Sequence, residues 1–106
     1  MLTTTLRLLR THDACQDQYA VLRKALGPHY GQDTPITLLQ ILDSNGLLDT
    51  LWALRAMPED QVQERDTFAR LLACDYAEHV VGVFEAAYPD DPRPRQAIVT
   101  ARRYAR

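Results

Sequence analysis

Between Pro58 and Pro89 the chain runs from Glu59 to Ala87 with no proline and a single glycine, Gly82. Proline lacks an amide hydrogen, clashes with the preceding turn of a helix, and pushes the residue before it out of the α region. The two prolines therefore bracket one helix, and only Gly82 weakens it locally. At 1.5 Å per residue such a helix is about 43 Å long, as long as a small domain is wide. In a chain of 106 residues the other elements then have to pack along it. The expectation is a single all-α domain over residues 1–106, a compact bundle of five to six helices around one central helix at about 59–87. At ~100° per residue, Val62, Ala69, Leu72, Ala73, Tyr76, Val80, Val83, Phe84 and Ala87 fall within roughly 120° of one another, which predicts the face turned to the core.

Local signals place the other helices. A first helix is expected over about Thr4 to Thr11. Asp13 reads as the N-cap of a second, in which Cys15, Tyr19, Leu22 and Leu26 recur at one-turn spacing as a buried stripe. Gly27 ends it. Thr34-Pro35 has the form of a cap followed by proline at the first helical position, ahead of "ITLLQIL". "DSNG" (Asp43–Gly46) is a turn, because Asn-Gly accepts the left-handed conformation. "LLDTLWALRA" follows and stops at Pro58, with Trp52 expected in the core and its indole N–H partnered at the edge. A last helix runs from Pro92 or Pro94 to Ala105, with Ile98 and Ala101, and Tyr104 or Ala105, facing inward.

Net charge is −2 and the isoelectric point about 5.8, which argues against global attraction to nucleic acid or anionic lipid. No apolar run approaches the ~20 residues that a membrane span needs. The opening "MLTTTLRLLR" has arginines among its leucines, unlike a signal peptide. Two cysteines make no disulfide framework. Together these predict a cytoplasmic protein with reduced thiols and no membrane partner.

Charge is unevenly placed along the chain. Residues 1–58 are neutral, residues 59–91 carry −7 and residues 92–106 carry +5. On the wheel Asp60, Glu64, Asp75, Glu78 and Glu85 lie within about 80° of each other, opposite the expected core face. Such a stripe is either a solvated helix face or a protein-binding surface, where charge complementary to a basic partner would speed association. The arginines of the last helix suit its dipole at the C-terminal end, and they could also pair with the stripe within the fold.

Few constellations could support catalysis. His12, Cys15, Cys74 and His79 have the inventory of a zinc site, but Cys74 and His79 sit about 140° apart on a helix and the spacing is poor. Asp75 and His79 are one turn apart, yet no nucleophile accompanies them. No phosphate-binding glycine loop, nucleophile elbow or HExxH pattern occurs. The reading is a non-enzymatic protein without metal or cofactor, and without direct nucleic-acid binding; the Arg93–Arg106 tail is the only feature that would support the latter.

Two stretches, Leu47–Ala56 and "FARLLACDYAEHVVGVFEAAYPDDPRPRQAIVTARRYA" (Phe68–Ala105), resemble small helical proteins of bacteria and phages, among them immunity proteins. The size, acidity and helical pattern also resemble anti-CRISPR proteins that act on type I effectors. This likeness implies a phage- or prophage-encoded inhibitor that binds a CRISPR-Cas effector subunit in the host cytoplasm, with toxin neutralisation by an immunity protein as the alternative. It implies no catalytic residue and leaves oligomeric state open, with a monomer favoured.

Overall fold

The computed structural model describes the whole chain, Met1–Arg106. The fold is all-α: six α-helices, two 3₁₀ turns, and a pair of two-residue strands. The chain divides into two compact units, Met1–Val62 and Gln63–Arg106.

In the first unit, α1 (Leu6–Thr11), α2 (Gln16–Leu26), α3 (Leu38–Asn45) and α4 (Leu47–Ala53) enclose a core of Leu6, Leu9, Leu22, Ile36, Ile41, Ala53 and Ala56. The strands β1 (Thr3–Thr4) and β2 (Ile36–Thr37) pair antiparallel, with Thr3 opposite Thr37 and Thr4 opposite Ile36. This ladder was not expected and moves two helix starts. The first helix begins at Leu6 rather than Thr4, with the Thr5 hydroxyl accepting from the Leu8 amide at 3.1 Å. The third begins at Leu38, so its cap is Thr37 and not Thr34. There the Thr37 hydroxyl accepts from the Gln40 amide, and the Gln40 side chain accepts from the Thr37 amide at 2.8 Å, a reciprocal capping box.

Thr4 is fully buried, and its hydroxyl donates to the Ala56 carbonyl at 2.5 Å, so a buried polar group is partnered. The Gln61 side chain clamps the same strand. It accepts from the Thr3 amide at 2.8 Å and donates to the Thr3 hydroxyl at 2.9 Å. Asp13 does not cap α2. It adopts φ 61°, and Cys15 occupies the cap position without a side-chain hydrogen bond. Of the stripe expected on α2, Leu22 is buried, Tyr19 and Leu26 pack partly buried against the core, and Cys15 is exposed. Trp52 is half-buried against the core under the Arg55 guanidinium, 5.0 Å from the ring centre. The "DSNG" turn is narrower than expected: Asp43–Asn45 finish α3, and Gly46 alone, at φ 87°, joins α3 to α4.

The second unit is the long helix α5 (Val62–Ala87), uninterrupted at Gly82, and α6 (Arg93–Ala105). The face expected to be buried on α5 is not the buried one. Val80 and Val83 are 64% and 76% exposed, Tyr76, Ala73 and Ala87 are also exposed, and Val62, Ala69, Leu72 and Phe84 are half-buried. The buried residues of α5 are Cys74 and Val81, two turns apart, with Ala77 half-buried between them. On α6 Ala105 is buried and Ile98 half-buried, whereas Ala101 and Tyr104 are exposed. The wheel selects the most apolar face. The buried positions Cys74 and Val81 instead adjoin the acidic stripe, whose carboxylates arginines of α6 reach.

Candidate protein-binding surface

The corner between α5 and α6 follows from its prolines and aspartates. The Tyr88 amide still donates to the Phe84 carbonyl at 2.8 Å, and the two rings stack tilted at 5.0 Å. Pro89 ends the helix. The Asp91 carboxylate then accepts from the Arg93 amide at 3.0 Å and from the Arg93 guanidinium at 2.8 and 2.5 Å, satisfying an orphan donor at the start of α6. These bonds lower the Asp91 pKa to about 2, the side-chain bond from Arg93 contributing most.

Beyond the corner, α6 returns its arginines to the acids of α5. Arg95 grips Glu85 through two parallel bonds of 2.7 Å, and Arg102 bridges Asp75, at 2.8 Å, and Glu78. The hydrogen bond from Arg102 lowers the pKa of Glu78, and that from Arg95 lowers the pKa of Glu85. The arginines are raised in turn, each chiefly by the hydrogen bond to its carboxylate. Arg70 of α5 lies 4.9 Å from the centre of the Tyr104 ring, a cation–π contact along the same hairpin.

Three of the five acids expected to form a binding stripe, Asp75, Glu78 and Glu85, are thus held by arginines of the same unit. Glu64 is exposed on the first turn of α5, and Asp60 is exposed in the 3₁₀ turn Glu59–Gln61 of the first unit. The partners were encoded as a mirror. Glu85 and Arg95 stand five residues either side of position 90, and Glu78 and Arg102 twelve either side. In an antiparallel hairpin such pairs face one another, and this spacing is the signal that the wheel alone passes over.

The other chemistry considered does not assemble. Cys15 is exposed in the first unit, Cys74 is buried in the second, and no three His, Cys, Asp or Glu side chains converge as metal ligands. His79 is exposed one turn from Asp75, and the Asp75 carboxylate bonds Arg102. No helix is long and apolar enough to cross a membrane.

What the second unit offers a partner is therefore an ordered ladder of ion pairs on one side of α5 and an open apolar face, Tyr76, Val80 and Val83, on another. Residues 61–106 match the family model of the Imm-5 like putative immunity proteins. The match covers less than half of the chain. It contains the stretch Phe68–Ala105 singled out above and does not reach Leu47–Ala56. No curated protein and no solved structure matches the chain.

Proposed function

We propose that this chain is an immunity-type inhibitor that neutralises a bacterial toxin by binding it, without catalysis. The observation that carries the reading is the place of the family match: it falls on α5 and α6, the segment that exposes Tyr76, Val80 and Val83 beside the ion-pair ladder. Exposed apolar residues rimmed by charge have the make-up of a docking surface. Tyr76 and the valines would supply desolvated anchors. The acidic residues Glu64, Asp75, Glu78 and Glu85 of the same unit would join them and select a basic partner surface. Because Arg95 and Arg102 already hold three of these carboxylates, the ladder would contribute rigidity and alignment more than raw attraction.

The test is co-expression with bacterial toxins, beginning with any toxin gene that lies beside this one. Growth should be rescued, and the purified pair should form a salt-sensitive complex. Val80→Arg and Val83→Arg should each abolish rescue while leaving the thermal unfolding of the protein unchanged. Replacing Glu64, Glu78 and Glu85 with glutamine should slow association and flatten its salt dependence. Rescue that survives both valine substitutions would remove the apolar face from the interface. The anti-CRISPR resemblance names the other partner class to assay, a type I effector subunit; binding there without toxin protection reverses the reading.

A further inference from the structure

A cavity in the first unit, outside the family match, has the lining of a ligand site. Its volume is about 80 Å³, it opens to solvent, and its walls come from α2 on one side and from α3 and α4 on the other. Leu22, Ile41 and Trp52 supply apolar surface, and Asp49 adds an acidic side chain to the lining. For scale, an engineered apolar cavity of about 150 Å³ holds a benzene molecule. Here there is room for roughly three or four carbons with a head group at the mouth.

The Asp49 carboxylate is held in place by Asn45, whose amide donates to Asp49 Oδ2 at 3.1 Å and to the Gln18 carbonyl at 2.8 Å. Asn45 Oδ1 accepts from Ser44 at 2.6 Å, so that amide is locked in one orientation.

A carboxylate only accepts hydrogen bonds and carries negative charge, so a head group that donates in several directions and is positive suits it best. A carboxylate ligand would meet like charge at Asp49, and an alcohol has one proton to give. We propose that this cavity binds a small aliphatic amine, its three- or four-carbon body against Leu22, Ile41 and Trp52 and its ammonium on the Asp49 carboxylate. The proposal is independent of toxin neutralisation, since it lies in the other unit.

Trp52 is the only tryptophan in the chain and forms part of the wall, so its fluorescence reports occupancy directly. The protein is titrated at neutral pH with three probes that share an isobutyl body: isobutylamine, isobutanol and isovalerate. Isobutylamine should change the emission saturably, isobutanol should bind roughly tenfold more weakly, and isovalerate should not bind. Asp49→Asn should bring the amine down to the level of the alcohol. Ala14→Leu, at the half-exposed rim, should block all binding. Cys15 lies at the same cavity and is exposed, so bound amine should slow its alkylation, whereas Cys74, buried elsewhere, should stay unreactive throughout. A linear, unsaturable response to all three probes, equal binding of amine and isovalerate, or an unchanged amine preference in Asp49→Asn would overturn the proposal.

Discussion

Val81 and Val83 sit two residues apart on α5, and the structure assigns them opposite fates: Val81 is 4% exposed and Val83 is 76% exposed. Truncating each to alanine tests the rotation of the helix. At Val81 two buried methyl groups are lost, at ~0.8 kcal/mol for each carbon, and the space left adds a cavity term. Alanine returns about 0.5 kcal/mol through its better helix propensity. The net expectation is destabilisation by about 1–2 kcal/mol. At Val83 almost nothing buried is lost, so only the propensity gain remains and the variant should be unchanged or slightly more stable. Thermal unfolding followed by far-UV circular dichroism resolves the difference. For a chain of this size a gap of about 2 kcal/mol separates the two midpoints by on the order of 8 °C. If Val83→Ala lost as much stability as Val81→Ala, the helix would present the face chosen by the apolar wheel, and the account of α6 given above would fail.

Other perturbations test the remaining elements. Thr4→Val keeps the shape of a fully buried side chain but strands the Ala56 carbonyl, and chemical denaturation should show a loss of about 1–3 kcal/mol. Thr37→Ala breaks the capping box of α3 and should lose about 1 kcal/mol by the same measurement. The Asp91 carboxyl is depressed to about 2 in the folded chain, below the ~3.9 of a free aspartate. Its contribution to stability is therefore complete above pH ~4 and is lost as pH falls towards 2. The lowered Glu78 and Glu85 act in the same direction. Asp91→Asn should accordingly narrow its stability gap from the native protein between pH 4 and pH 2, and a constant gap across that range would contradict the capping geometry.

The helices were legible wherever a local residue sets their ends. Pro58 and Pro89 bracket α5, Gly27 stops α2, and Asp91 with its neighbouring prolines opens α6. Two of the errors share a source, which is that competing contacts come from far along the chain. Thr34-Pro35 has good capping chemistry, but Ile36 and Thr37 pair with Thr3 and Thr4, some thirty residues earlier, and the helix starts only after that ladder. Likewise the wheel ranks the faces of α5 by apolar content. It has no means of weighing Arg95 and Arg102, which lie beyond a turn and draw α6 to the acidic side. The acidic residues of the candidate surface could be read directly, and their partners could be read from the mirrored spacing about position 90. The cavity could not. Its wall brings Tyr19 and Leu22 together with Asp49 and Trp52 from far along the chain, and no local spacing announces that meeting.

Gly46 closes α3 and opens α4 with the same residue, at φ 87° and ψ −179°. That region of backbone space is essentially reserved for glycine. Ile41 and Asn45 stand on one side of this joint and Asp49 and Trp52 on the other, so a single pair of dihedral angles sets the aperture of the cavity between them. A Cβ at position 46 would meet no atom within 4 Å, so the obstacle to alanine there is torsional. The joint thus works like a stiff caliper: one substitution at Gly46, touching none of the walls, would reset the width of the opening and with it the size of molecule admitted.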